Sequence, residues 1–153
     1  MRRRPTVRAG FLREWSAGDS GSRGRLERGA VRAGLALVSR VGELAGVDGP
    51  LHVRIGVATG LVVVGDLAQA GAVRERIALG ETPNLAARLQ SLAAPDGVVI
   101  ADGTRRLAGD RFTYQNLGVF PIKGFVAPVQ VWQVTGAAAV ADAFASMRPE
   151  PST

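Results

Sequence analysis

Gly80-Glu81-Thr82-Pro83-Asn84-Leu85-Ala86-Ala87-Arg88-Leu89 is the stretch on which the reading of this chain turns. Thr82 suits a helix N-cap, and Pro83 suits the first helical position, where a missing N–H forfeits no intrahelical bond. In the helix that follows, Leu85, Leu89 and Leu92 recur at the spacing of a buried stripe, and Asn84 and Arg88, four apart, share an adjoining face. Further along stands the chain's one lysine, Lys123, in Pro121-Ile122-Lys123-Gly124-Phe125; the other eighteen of nineteen basic residues are arginine. An ammonium is a compact mobile charge that can follow a phosphate, whereas a guanidinium is a rigid planar fork. One lysine can survive by chance in an arginine-rich composition. Beside an asparagine and an arginine on one helix face, it invites a chemical explanation.

Upstream of that helix, apolar residues from Ala30 to Leu44 recur with helical spacing, so an amphipathic helix begins near Leu26 and ends around Gly46 to Pro50. Leu51 to Val57 alternates like a strand, Thr59-Gly60 turns it, and Leu61 to Gly65 follows, which predicts a β-hairpin over 51–65. Residues 66–80 read as a loop running into a short strand, Ile77-Ala78-Leu79. Downstream, Pro95-Asp96-Gly97 is a turn, Val98 to Ala101 a buried strand, and Asp102 or Thr104 a cap for a short helix through Leu107. Strands are expected over 112–117, 119–122 and 129–134, an alanine-rich helix over 137–147, and a linker over 148–153. The pattern predicts an α+β sandwich, with helices on one side of a mainly antiparallel sheet.

At 153 residues, 46% hydrophobic and 21% charged, the chain has the size of one globular core. No segment has the apolar length of a membrane span, and the arginine-rich start lacks the apolar run of a secretory signal, so the protein reads as cytosolic. With no cysteine, disulfides, thiolate metal sites and cysteine nucleophiles are excluded. Eight arginines against three carboxylates within residues 1–30 account for five of the six net positive charges. A Gly/Ser-containing basic stretch without hydrophobic period reads as a disordered arm over 1–27, so nucleic acid is an unlikely partner of the nearly neutral remainder. His52, the one histidine, reads as an outward-facing strand residue with no metal partner at ligand spacing. Val62-Val63-Val64-Gly65 is followed by neither G-x-G-x-x-G nor a Walker glycine-lysine, and no serine-histidine-acid set can be assembled.

Taken together, Arg54-Ile55-Gly56-Val57-Ala58-Thr59-Gly60, the Gly80 to Leu89 run, Ile122-Lys123-Gly124 and the closing Val131-Trp132-Gln133-Val134 resemble the C-terminal two thirds of a class III adenylyl/guanylyl cyclase catalytic domain, over roughly residues 28–135. The nearest flavour is the bacterial module that stands ahead of a P-loop ATPase region. The resemblance implies a ferredoxin-like cyclase-homology sandwich, N-terminally truncated: an arm over 1–27, a partial cyclase domain over 28–135, and a helix and linker over 136–153. It also implies a head-to-tail dimer, homo- or heteromeric, in which a nucleoside triphosphate, ATP ahead of GTP, is cyclised by its ribose 3′-oxygen with loss of pyrophosphate. Asn84 matches the family's transition-state asparagine, which holds the ribose, and Arg88 its transition-state arginine, which faces the α-phosphate. Lys123 matches the lysine that grips the outer phosphates.

The departures from the family pattern weigh as much. The family holds two Mg²⁺ or Mn²⁺ ions through two aspartates on early strands, and neither motif is present; Asp19, Asp66 and Asp102 lie in the wrong contexts to replace them. The purine-reading lysine is missing too. Its partner position, seven residues before Asn84, is Ile77, whose side chain has no hydrogen bond to offer. The expectation is a chain that keeps the transition-state half of the site, binds no metal alone and is inactive alone, with a non-catalytic nucleotide-sensing or dimerisation module as the alternative. A cyclase domain begun at this helix is also expected to leave strand edges unpaired.

Overall fold

The computed structural model describes residues 6–10, 20–46, 49–60, 63–67, 75–79 and 81–138. In chain order its elements are β1 (Thr6–Gly10), α1 (Ser20–Gly42), β2 (Ala45–Gly46), β3 (Gly49–Pro50), β4 (His52–Val57), β5 (Val63–Leu67), β6 (Glu75–Leu79), α2 (Glu81–Leu92), β7 (Val98–Ala101), α3 (Asp102–Ala108), a 3-10 turn (Gly109–Arg111), β8 (Phe112–Phe120) and β9 (Val129–Ala137). Five strands form the main sheet in the order β1-β4-β7-β9-β8, while β2-β3 and β5-β6 are separate two-stranded ribbons.

The sheet is mixed. β1 and β7 flank β4 in parallel, whereas β9 pairs antiparallel with both β7 and β8. Along β7 the four apolar residues alternate between two cores: Val98 and Ile100 pack with Val31, Val53, Ile55 and Val134 under α1 and α3, and Val99 and Ala101 with Leu85, Leu89 and Val131 under α2. Period-two alternation therefore places helices on both faces of the sheet. The α+β class holds, but the one-sided arrangement expected from the pattern does not, because a continuous apolar run such as Val98 to Ala101 gives both of its faces something to bury against.

Strand pairing departs from the local pattern for a related reason. The hairpin expected over 51–65 does not form: both edges of β4 are occupied, so β5 turns away and pairs antiparallel with β6, Val63 opposite Leu79 and Gly65 opposite Ile77. The loop expected over 66–80 thus begins and ends in strand, and its middle, 68–74, lies outside the described residues. The two strands expected over 112–122 are one, β8, bent at a bulge near Gly118, which has φ 100°. There the side-chain oxygen of Asn116 accepts the Gly118 N–H at 2.7 Å and a Gln130 amide N–H at 2.5 Å. β9 runs on to Ala137, into the start of the expected terminal helix, whose remainder from 139 lies outside the described residues.

The N-terminal stretch also differs from expectation. Thr6–Gly10 pairs along the edge of β4 from His52 to Gly56, and α1 begins at Ser20 rather than near Leu26. The sequence Ser20-Gly21-Ser22-Arg23-Gly24 has weak helix propensity. Packing overrides it where α1 meets α3.

α2 can lie on the sheet because β4 has no side chain in its way. A Cβ on Gly56 would meet the Ala86 carbonyl oxygen and come within 2.5 Å of the Gln90 backbone nitrogen. Neither is the mobile end of a side chain. Leu89 beneath the helix is fully buried; Leu92, expected in the same stripe, is exposed, and Ala93 at 3% exposure takes its place. At the other end of β4, His52 is not a lone outward residue: its Nδ1 lies 2.7 Å from Oδ2 of Asp96, whose Oδ1 accepts the Val53 N–H at 3.2 Å. Asp96 sits at φ 63° in the turn before β7 and returns its own N–H to the Val53 carbonyl at 2.6 Å, so the turn is clipped to β4.

Two measurements check this architecture. Gly56→Ala should lower stability by about 1–3 kcal/mol in urea titration through overpacking against a helix backbone that cannot shift alone, while Gly29→Ala, which meets nothing within 4 Å, should not destabilise. The hydrogen bond from His52, against a smaller opposing effect of burial, holds the Asp96 carboxyl below its ordinary 3.8. Its contribution to stability is therefore complete above that value and lost as pH falls through the depressed pKa. Asp96→Asn should cost up to about 1 kcal/mol at pH 7, as expected of a partly exposed pair, and should flatten the acid limb of a pH–stability curve; an unchanged acid limb would remove the clip from the account.

Candidate functional site

Three elements converge at one end of the sheet: the turn leaving β4, the first turns of α2, and the connection between β8 and β9. Thr59, Gly60, Glu81, Thr82, Leu85 and Phe125 line a cleft of about 410 Å³ between them. α2 starts at Glu81, so Thr82 and Pro83 lie within its first turn rather than at the cap and first position; proline is still harmless there because the first four N–H groups have no intrahelical acceptor. Leu85 and Leu89 are buried, which turns Asn84 and Arg88 outward together. Both are exposed, and neither makes a hydrogen bond or ion pair among the described residues.

Lys123 is held at the tip of a tight turn. The Phe125 N–H donates to the Ile122 carbonyl at 3.0 Å and Gly124 has φ 94°, the third-position geometry of a type II turn. Ile122 is buried under α2 at 7% exposure and Phe125 packs against the same core. Between these anchors the lysine side chain is exposed. Lys123 and Asn84 thus belong to segments bordering one cleft, with Arg88 a turn farther along α2. Ile77 is on β6, which runs beside α2 with its backbone opposite Gly65.

Sequence reasoning missed the hydroxyl pair that braces the cleft. Thr59 Oγ1 lies 3.1 Å from Oγ1 of Thr104, which is fully buried on α3. Thr104 is therefore no helix cap; α3 has no side-chain cap at all. Asp102, the other expected cap, accepts the Trp132 indole N–H at 3.1 Å and meets Nε of Arg106 at 3.2 Å. A threonine fully buried among aliphatic residues needs a polar partner, which was the one available signal.

Metal ions do not fit this arrangement. Among the described residues no three His, Cys, Asp or Glu side chains come together as a metal site, and Glu81 is the one carboxylate lining the cleft. A divalent cation of Mg²⁺ type calls for one or two carboxylates besides phosphate oxygens and water, so one such side chain falls short of a two-ion centre.

The family model for the adenylate and guanylate cyclase catalytic domain matches residues 26–136, well over half of the chain. The chain belongs to that family. The match leaves β1 outside it. The fold agrees: the guanylate cyclase domain of RhGC from Catenaria anguillulae, solved in complex with GTP, superposes with a TM-score of 0.66 at 25% identity, covering 73% of this chain and 60% of that one. The adenylyl cyclase CyaB from P. aeruginosa gives 0.61 at 28% identity, covering 76% and 62%. An uncharacterised protein of Rhizobium meliloti (strain 1021) is 41% identical over 110 residues, which are 70% of this chain and 10% of that protein. The chain thus spans about three fifths of the solved cyclase domains and a tenth of the curated relative. No helix among the described residues of this cyclase domain is long and apolar enough to cross a membrane.

The brace is open to a double-mutant cycle. Thr104→Val should cost about 1 kcal/mol, the net worth of a buried hydrogen bond. Thr59→Ala in the Thr104→Val background should add less than it does in the wild type. Additive losses in chemical denaturation would mean that the two hydroxyls do not support each other.

Proposed function

We propose that this chain supplies the ribose- and phosphate-binding half of a nucleotidyl cyclase site, completed by a partner domain that brings the metal-binding half. The observation that supports the reading is that α2, which carries Asn84 and Arg88 exposed one turn apart, and the turn that carries Lys123 contribute Leu85 and Phe125, respectively, to the lining of one cleft. In this proposal the Asn84 amide hydrogen-bonds the ribose and so holds its 3′-oxygen in line with the α-phosphorus. The Arg88 guanidinium faces the α-phosphate, where negative charge grows as the 3′-oxygen displaces pyrophosphate. The Lys123 ammonium, able to swing on its flexible stem, takes the outer phosphates. Donors aimed at developing charge are worth about 3–4 kcal/mol each in comparable sites. The substrate is a nucleoside triphosphate and the product a 3′,5′-cyclic nucleotide for signalling. The lean to ATP over GTP finds no support in the described cleft, and Ile77 supplies no polar side chain to read a base.

A second reading, a non-catalytic module that binds nucleotide or pairs with a complete cyclase, draws on the poor fit of the cleft to metal ions. One experiment separates the two. The purified chain with Mg²⁺ or Mn²⁺ and ATP or GTP should yield no cyclic nucleotide. Mixed with a cyclase domain that keeps its metal aspartates but carries mutated transition-state residues, it should restore turnover, which Asn84→Ala or Arg88→Ala should cut by roughly a hundredfold or more. Co-purification without restored turnover favours the non-catalytic module; no association removes both.

A further inference from the structure

The face of the sheet away from α2 carries a charge pattern for which the nucleotide cleft has no use. Arg25, Arg28 and Arg32 recur on α1 at the spacing of one helical stripe, the outer two exposed and Arg28 half-buried. A Cβ on Gly24 would lie 2.7 Å from the Leu107 carbonyl oxygen and 2.8 Å from Nη1 of Arg28, which places that guanidinium at the last turn of α3. The same turn holds Arg105 and Arg106, and the 3-10 turn after it Arg111. Three nearby acids offset half of these six charges. Glu27 is buried at 8% exposure, Asp102 is engaged by Trp132 and Arg106, and Asp110 is exposed. The end of a seven-residue helix carries about half a negative charge, so the excess of three guanidinium groups over these carboxylates is more than it needs.

Arg105 adds a second observation. Its guanidinium carbon lies 4.2 Å from the centroid of the Trp132 ring and 5.2 Å from that of Tyr114. Both rings are half-buried at the rim of the core, and the Tyr114 hydroxyl donates to the Gly109 carbonyl at 2.6 Å. The Nε of Arg105 is buried without a hydrogen-bond partner among the described residues. A planar cation held over two aromatic rings, at the end of an arginine stripe, combines the two components of a single-strand platform: charge for the phosphates and flat surfaces for the bases.

We infer that the α1–α3 face binds single-stranded nucleic acid, with the arginine stripe following the phosphates and the Arg105–Trp132–Tyr114 stack receiving a base. An anionic membrane fits less well, because among the described residues the exposed large apolar side chains, Leu44, Leu92, Val119 and Val126, lie on none of α3, its following turn or the arginine-bearing part of α1. An acidic polypeptide would match the charge but brings no ring to the stack. The sequence pattern argued against nucleic acid and assigned the basic charge to an arm over 1–27; the proposed surface takes Arg25 from that stretch, where α1 is already helical, and joins it to α3.

The test uses the full chain with Trp15→Phe, leaving Trp132 as the one tryptophan, and a fluorescently labelled oligothymidylate of twelve nucleotides. Binding should be salt-dependent and quench Trp132. Replacing Arg25 and Arg32 by Gln should weaken it about tenfold or more and lower the log–log salt slope by about 0.7 for each phosphate that is no longer neutralised. Arg105→Lys, which keeps the charge and loses the plane, should weaken binding and quenching with the slope unchanged. Replacing Arg2, Arg3 and Arg4 by Gln should leave the quenching in place. The inference is overturned if the oligonucleotide does not bind, if binding follows the three arm arginines and ignores Arg25 and Arg32, or if polyglutamate or anionic phospholipid vesicles bind this face more tightly.

Discussion

Everything at the candidate site depends on how closely α2 can lie on β4. At Gly56 the helix backbone, represented by Ala86 and Gln90, occupies the space where a side chain would be. At Gly60, where the strand exits, Thr82 of the first helical turn stands equally close. This approach brings Leu85 and Leu89 down onto Val99 and Val131 and turns Asn84 and Arg88 outward. A bulkier strand residue would lift the helix, and interiors packed to crystal density have no slack to absorb the displacement. The two glycines therefore fix where α2, and with it the exposed Asn84 and Arg88, stands on the sheet although they are far apart in the chain.

The sheet separates two surfaces of different chemistry. On the α2 side lies a cleft of about 410 Å³ lined by Thr59, Gly60, Glu81, Thr82, Leu85 and Phe125, with Asn84 and Arg88 exposed on α2 and Lys123 exposed at the turn before Phe125. On the other side, α1 carries an arginine stripe and Arg105 of α3 lies over the Trp132 and Tyr114 rings. Thr104 links the two, being buried on α3 while its hydroxyl reaches Thr59 at the cleft. Net charge conceals this segregation, since it says nothing about which face each charge occupies.

Edges and ends of strands are where this domain relies on polar detail. β4 has both neighbours, one of them β1 from outside the family-matched region. The Asp96 carboxylate clips the turn before β7 to both the side chain and the backbone at the start of β4. At the opposite edge, β8 bends at a bulge closed by Asn116 and Gln130, a distortion that hinders continuous pairing with another strand.

Much of this was legible in the sequence because it is local. The helix periods of α1 and α2, the turn at Pro95-Asp96-Gly97, the buried strand Val98–Ala101 and the Asn84–Arg88 face follow from spacing within a few residues, and the cyclase family followed from four short motifs in order. What spacing cannot give is the partner of each element. The hairpin expected over 51–65 failed because pairing is a competition among all strands, and β1 and β7 won both edges of β4. Leu92, at the last position of α2, is exposed, and Ala93 just beyond it is buried instead. Thr104, Trp132 and Asp102, each ordinary in sequence, acquired roles only when the sheet set α3 beside β9. Composition and short-range pattern determined the elements and the family; tertiary structure decided register, facing and packing partners, because those depend on residues far apart in the chain meeting in a close-packed interior.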